Sequence, residues 1–420
     1  MPEDESATMS ETPNAAPRAL RPIGLGLLVA LAQLFIAVVL LAPEGPLSYR
    51  YETLIQHDSY WFGNIIDRGY DTILPPMDRK MMEVSNVAFF PAYPAIAGAL
   101  HHWGRLSTSH ALLVTAQLGA WGFWTYFFLF LERWGFTVAT QLAGAMAILA
   151  HPTAFFLVAG YSESLFLMAL FGFLYWSSAK GKGAMVLAAL HGIIMSATRI
   201  VGLPCAALPM VRAVFEHGWA GLRDVGGWVR RYGPPTLLTA VASLGTVGFF
   251  LYCLVRWGRW DLYMLTQEAG WAIQPDYLAV FKPSSYRWML PPLRDPTQWS
   301  QLTMSLGAVC FVVVALGEII PAIRRRTAWQ QRVAIYAAAF ITYYIAVSGV
   351  ASVQMESMLR YQFCAHALIV LALCHFLAHL PAPSVRARAL AMAAAALVCA
   401  AGLSLQGWWV WNFTRGDWVA

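Results

Sequence analysis

The sequence predicts an all-α polytopic membrane protein. Apolar runs of roughly 18 or more residues recur along almost the whole chain, and each crosses about 30 Å of hydrocarbon as a helix. Hydrophobic residues make up 59% of the composition and charged residues only 12%, too few to solvate a globular surface. The apolar segments do not alternate in short strands, which excludes a barrel.

The first twenty residues, MPEDESATMSETPNAAPRAL, are polar, acidic and rich in Pro and Ala. They cannot bury a core and are read as a disordered cytoplasmic tail over residues 1–20. The run that follows has no clear small-residue cleavage site, so it is expected to be a retained first span. Residues 21–420 then form one transmembrane domain. Hydropathy and breakers together predict about eleven spans: 21–42, 110–131, 136–159, 162–178, 184–198, 200–214, 235–256, 299–320, 331–350, 361–380 and 387–408. Arg199, Gly202 and Pro204 interrupt the fifth and sixth, which read as a broken pair.

Net charge is +6, but the basic residues fall between apolar runs and read as topology signals, so no nucleic-acid partner is expected. With the N-terminus inside, the cytoplasmic loops hold Arg133, Lys180, Lys182, Arg212, Arg223, Arg230, Arg231, Arg324, Arg325, Arg326, Arg332, Arg386 and Arg388. The opposite face receives the long loops 43–109 and 257–298 and the turn 351–360, together with most of the acidic residues. Tryptophans near span ends, such as Trp408, Trp409 and Trp411, read as an interfacial belt. All six cysteines lie in apolar segments without zinc or disulfide spacing and read as small core residues.

The external side carries the candidate chemistry. Loop 43–109 holds QHDSYWFGNIIDRGY (56–70) and then NVAFFPAYP (86–94). Asp58, Trp61, Phe62 and Ile65 fall at helical spacing in the first stretch. Asp58 fits two roles: a partly desolvated base, or a capping residue before an amphipathic helix. Glu163 in AGYSESLF opens the fourth span; it either faces a polar cavity or answers the helix dipole. Arg199 in SATRIVGLP needs a partner, because a guanidinium at mid-membrane costs about 2.5–3.5 kcal/mol. That partner is a carboxylate such as Glu163 or a ligand phosphate. Arg360 in ESMLRYQF stands similarly at the outer start of the tenth span, where a snorkelling arginine is the competing explanation. The stretch RWDLYMLTQEAGW (259–271) is amphipathic and is either an inert interfacial helix or a wall of a lipid-substrate entry.

No dinucleotide fingerprint, phosphate-binding Walker loop or HExxH is present, so nucleotide and zinc mechanisms have no support and no metal is expected. An acidic residue in the first external loop combined with arginines at external span ends suits a lipid-phosphate sugar donor, whose departing phosphate needs cations.

At these residues the sequence resembles the PIG-V family, the second mannosyltransferase of GPI-anchor assembly, and more closely its bacterial relatives. His57-Asp58-Ser59-Tyr60-Trp61-Phe62 stands where the family has W-D-x-x-W-Y, followed by Ile65, Ile66, Gly69 and Tyr70. Phe89-Phe90-Pro91-Ala92-Tyr93-Pro94 matches FFP-x-YP, and Tyr161 to Phe166 matches Y-S-E-S-L-F. Thr198, Arg199 and Gly202 match T-R-x-x-G; Gln267 and Trp271 loosely match a Q-x-x-W element; Ser357, Met358, Arg360 and Tyr361 match S-M-x-R-Y. His57 and Phe62 depart from the family's Trp and Tyr, which bears on the acceptor.

The resemblance implies a GT-C-type multi-spanning glycosyltransferase in a bacterial inner membrane, with its active site on the external or periplasmic side. It would transfer a hexose, mannose by the family's habit, from a polyprenyl-phosphate donor to an acceptor hydroxyl with inversion and without a cofactor. Asp58 is the expected catalytic base, and Arg199 and Arg360 the donor-phosphate ligands. His57, Trp61, Tyr93, Tyr161, Glu163, Gln267, Trp271 and Tyr361 are the expected substrate-lining residues. The competing function is a transporter or flippase of lipid-linked precursors, which predicts matching broken spans in two repeated halves.

Overall fold

The computed structural model describes residues 20–74, 85–218, 225–293, 295–320, 329–378 and 384–419, with helices and no strand among them. Of the features read above, residues 1–19 of the polar tail and Arg223, Arg324, Arg325 and Arg326 lie outside the described residues. The helices in chain order are α1 (Leu20–Phe35, continued by a π turn to Leu41), α2 (Leu47–Glu52), α3 (Asp58–Arg68), α4 (Ala92–Gly104), α5 (Thr108–Arg133) and α6 (Val138–Leu149). After them come α7 (Glu163–Ser177), α8 (Lys182–Thr198), α9 (Gly202–Cys205), α10 (Leu208–His217), α11 (Val225–Ala242) and α12 (Leu244–Trp257). The last are α13 (Leu262–Trp271), α14 (Pro296–Ile319), α15 (Trp329–Val350), α16 (Met358–Ala378) and α17 (Val385–Phe413).

Six helices, at 20–41, 108–133, 297–319, 332–353, 358–377 and 385–413, are long and apolar enough to cross a membrane, and a bent pair at 226–257 makes a seventh candidate. The chain is an integral membrane protein. The other predicted spans are shorter. Residues 136–159 contain α6 followed by a turn and a 3₁₀ segment over Ala154–Leu157, so the apolar run continues where the helix does not. The break expected at Arg199 is present: its backbone is extended, and the four-residue α9 and then α10 follow it. The straight span expected at 235–256 is instead bent by 42° between α11 and α12. Ser243 at this joint donates its hydroxyl to the Thr239 carbonyl at 2.9 Å, a back-bond that bends helices.

Helix α7 is apolar all round and almost wholly buried, the pattern of a central helix. It packs between α5 and α8, while α1 packs on α5 and α16 packs on α14 and α15. Gly119 of α5 lies against the backbone of Ser164 and Leu165, where a Cβ would overlap, so the two helices approach closely at the start of α7. Helix α17 leaves most of its apolar surface outward and is anchored near its end by Leu405, Trp409, Val410 and Phe413. Trp409 is thus a packed residue rather than part of an interfacial belt. Arg332, read as a loop charge, is fully buried within α15, where it pairs with Glu318 and donates to Tyr336 Oη at 2.8 Å.

Candidate active site

Two loop joints, each with a residue in the left-handed region, bring the charged residues together. His57 (φ 49°) precedes Asp58, the first residue of α3. Gln354, Met355 and Ser357 (φ 56°, 66° and 61°) turn the chain from α15 into α16, whose first turn holds Arg360. Non-glycine residues in this region persist only where their surroundings hold them, and they concentrate at functional sites. The α3 joint is seated by Gly160, whose N–H donates to the Leu54 carbonyl at 3.1 Å and whose missing side chain makes room for Ile55 and Ser59. The same loop leads into Glu163, so Asp58 and Glu163 are set side by side by one close approach.

Four charged groups converge there. Arg360 Nη1 donates to Asp58 Oδ2 at 2.7 Å, and Arg199 Nη1 donates to Glu163 Oε1 at 2.7 Å. Arg360 Nε lies 3.5 Å from the same Glu163 oxygen, which joins the two pairs into one cluster. Glu163 and Arg360 are buried, at 2% and 4% side-chain exposure, whereas Asp58 and Arg199 keep 21% and 18%. The accessible members are therefore one carboxylate and one guanidinium. Glu163 Oε2, Ser59 Oγ and Ser164 Oγ are buried here without hydrogen-bond partners among the described residues. A buried charge cluster with spare polar atoms is costly unless something else is gained.

Aromatic rings enclose the cluster. Arg360 donates to Tyr361 Oη at 3.2 Å, and the Tyr361 ring centre lies 5.0 Å from the Arg360 guanidinium and 5.1 Å from that of Arg199. Tyr161 and Phe156 face Arg360 at 5.2 and 5.6 Å. Burial, then the nearby Asp58 carboxylate, raise the Tyr161 phenol well above its ordinary range and keep it protonated. Along α3 from Asp58, Trp61, Phe89 and Trp271 form a half-buried cluster with ring centres about 6 Å apart. Gln267 reaches the Ala88 carbonyl at 3.5 Å.

Of the residues singled out in the sequence, Asp58, Glu163, Arg199, Arg360, Tyr161 and Tyr361 thus meet in one place. Trp61, Gln267 and Trp271 belong to the neighbouring aromatic patch. Tyr93 takes a packing position: it is fully buried, its hydroxyl donates to the Leu112 carbonyl at 2.8 Å, and its ring rests on Phe62. His57 points toward the segment after α17, where it meets the Asp417 carbonyl, Phe413 and Trp418. Phe156, Phe413 and Trp418 carried no signal in the sequence, because a lone aromatic near a span end looks like any other.

A separate cavity of about 310 Å³ lies at the opposite end of α7, lined among others by Trp176, Arg212, Glu216, His217 and Arg231. It is about 20 Å from Glu163 by the length of that helix. Among the described residues no group of three metal-ligating side chains is present.

No family model matches the chain, and no curated protein matches it. Among solved structures it is similar to the crystal structure of ArnT from Cupriavidus metallidurans bound to undecaprenyl phosphate, with 15% sequence identity and a TM-score of 0.49. The match covers 89% of this chain and 63% of that one, so the chain spans less than two thirds of that protein's length.

Proposed function

We propose that the chain is an inverting glycosyltransferase of the GT-C type that moves a hexose from a polyprenyl-phosphate donor to an acceptor hydroxyl. The sugar proposed is mannose, on the resemblance to the PIG-V family, and the face is the external side of a bacterial inner membrane. One observation carries the reading: a partly exposed carboxylate, Asp58, is paired with Arg360, and Glu163 joins Arg360 to a second, partly exposed arginine, Arg199, from a helix far away in sequence.

In this reaction Asp58 accepts the acceptor's hydroxyl proton as that oxygen attacks the anomeric carbon. The bond from that carbon to the phosphate oxygen breaks on the opposite face, and its electron pair leaves with the polyprenyl phosphate. The phosphate gains a negative charge as it departs, and Arg199 and Arg360 stabilise that charge. Asp58 is paired with Arg360, so a donor phosphate drawing on Arg360 would free the carboxylate to act as base. Phosphate leaves without a general acid, so one carboxylate suffices.

The transporter alternative calls for broken spans in corresponding places of two halves. The break at Arg199 and the bend at Ser243 fall in helices that pack on each other instead. Incubating purified protein with radiolabelled polyprenyl-phosphate-mannose and a membrane lipid extract tests the proposal. Label moving to a new product supports it, and donor recovered unchanged with every acceptor fraction removes it.

A further inference from the structure

We propose that residues 414–419 form a strap that completes the site, and that Trp418 is a positioning residue that holds His57 and so fixes the direction of Asp58. Helix α17 ends in a left-handed turn at Gly416 (φ 91°), with the Gly416 N–H on the Phe413 carbonyl at 3.0 Å and the Asp417 N–H on the Asn412 carbonyl at 3.1 Å. This glycine-terminated stop reverses the chain. Asp417 and Trp418 are thereby carried back across the start of α3.

Two contacts then fall on His57 and one on the charged cluster. His57 Nε2–H donates to the Asp417 carbonyl at 3.2 Å. The Trp418 ring meets the His57 ring edge-on at 5.0 Å between centres. On its other side Trp418 lies 5.8 Å from the Arg360 guanidinium. The strap itself is tied down, since Arg415 donates to the Leu41 carbonyl at 3.3 Å and Phe413 packs against Phe155, Phe156 and Tyr161.

His57 is the residue that needs such a hold. Its positive φ is a conformation that a side chain with a Cβ adopts only under constraint. It immediately precedes Asp58, so relaxing His57 rotates the first turn of α3 and takes the Asp58 carboxylate off Arg360. The contacts from Asp417 and Trp418 supply the constraint. Trp418 also lies against the Arg360 guanidinium while 37% of it stays exposed, so it walls the site without sealing it.

Only the catalytic half of the test rests on the transferase reading. In full-length protein in lipid nanodiscs, amide hydrogen exchange is compared over residues 56–62 and, as an internal reference, over residues 115–130 of α5. Trp418→Ala is expected to speed exchange over 56–62 about tenfold and leave the reference unchanged. Trp418→Phe, which keeps a ring, stays within about twofold of the parent, and His57→Phe, which loses the donor to Asp417, behaves like Trp418→Ala. With radiolabelled polyprenyl-phosphate-mannose, Trp418→Ala lowers kcat about tenfold with KM little changed, and Trp418→Phe restores it. Unchanged exchange over 56–62 in Trp418→Ala overturns the proposal. So does equal acceleration in the reference segment, which would make the strap a support of the whole bundle. Failure of the parent protein to transfer sugar counts against the transferase and leaves the exchange comparison to decide the strap.

Discussion

Asp58 and Arg360, 302 residues apart in sequence, are joined by a 2.7 Å hydrogen bond between a carboxylate that water reaches and a guanidinium that it barely does. This pair links the segment between α1 and α5 to the start of α16, and Glu163 extends it to Arg199 at the break after α8. The predictions concern what each part of that chain of charges does.

Arg199 is the accessible cation, so it should govern donor affinity through its planar fork. Arg199→Lys is expected to retain part of the affinity for a non-transferable donor analogue, and Arg199→Ala almost none. Arg199→Ala also takes from buried Glu163 its 2.7 Å partner and leaves it the longer 3.5 Å contact to Arg360. Breaking a buried pair costs about 3–5 kcal/mol, and the remaining contact holds this case toward the lower figure. Thermal unfolding should show the loss, and Arg199→Ala with Glu163→Gln should recover most of it. Equal donor binding by parent and Arg199→Ala removes Arg199 from the site.

A methyl group at Gly160 should force the ends of the Ile55 and Ser59 side chains aside at the joint that seats Asp58, because a Cβ there meets both. Overpacking of this kind costs about 1–3 kcal/mol. Gly160→Ala is expected to lower thermal stability by that order and to lower turnover further than stability alone explains. Gly183→Ala, where nothing lies within 4 Å, is the matched control.

How far the sequence foretold this site differs by residue. Arg199 demanded a counter-charge because hydrocarbon penalises a lone guanidinium, and Glu163 was the natural partner. The pairing of Asp58 with Arg360 was not legible, since nothing local in either segment encodes a contact across the fold. The strap was hidden for the same reason: Trp418 follows a helix whose Trp408 and Trp411 are partly exposed, and composition does not tell a wall from a belt. Apolar runs located the helices well but overstated their length. Hydropathy continues through 150–157 while the backbone turns, because apolar side chains do not report where the hydrogen-bond ladder stops.

The proposed orientation rests on Arg133, Lys180, Lys182 and Arg212 lying at the end of α7 remote from Glu163 and the Asp58 cluster. In a cysteine-free background, Arg68→Cys, exposed on α3, should react in intact cells with a membrane-impermeant thiol reagent, while Lys180→Cys should react only after lysis. The reverse pattern places the site on the cytoplasmic side.

A donor with a single phosphoryl link carries less charge than a nucleotide diphosphate, and two arginines are enough to answer it. Transfer activity is therefore expected to be the same in excess EDTA as in magnesium or manganese. Loss with EDTA and recovery with one metal would contradict a site built on guanidinium groups.

The most direct test is turnover by Asp58→Asn set against two carboxylates of the same loop. Asp67 accepts a hydrogen bond from Thr108 Oγ1 at 2.7 Å, and Asp71 accepts one from the Thr72 N–H at 2.8 Å, so both have structural work. Asparagine keeps the shape of Asp58 but cannot take a proton. Single-turnover transfer from labelled donor should fall by roughly 10²–10⁴-fold in Asp58→Asn with donor binding little changed, and far less in Asp67→Asn and Asp71→Asn. A folded, donor-binding Asp58→Asn protein that transfers sugar near the parent rate, beside a dead control variant, would contradict the account.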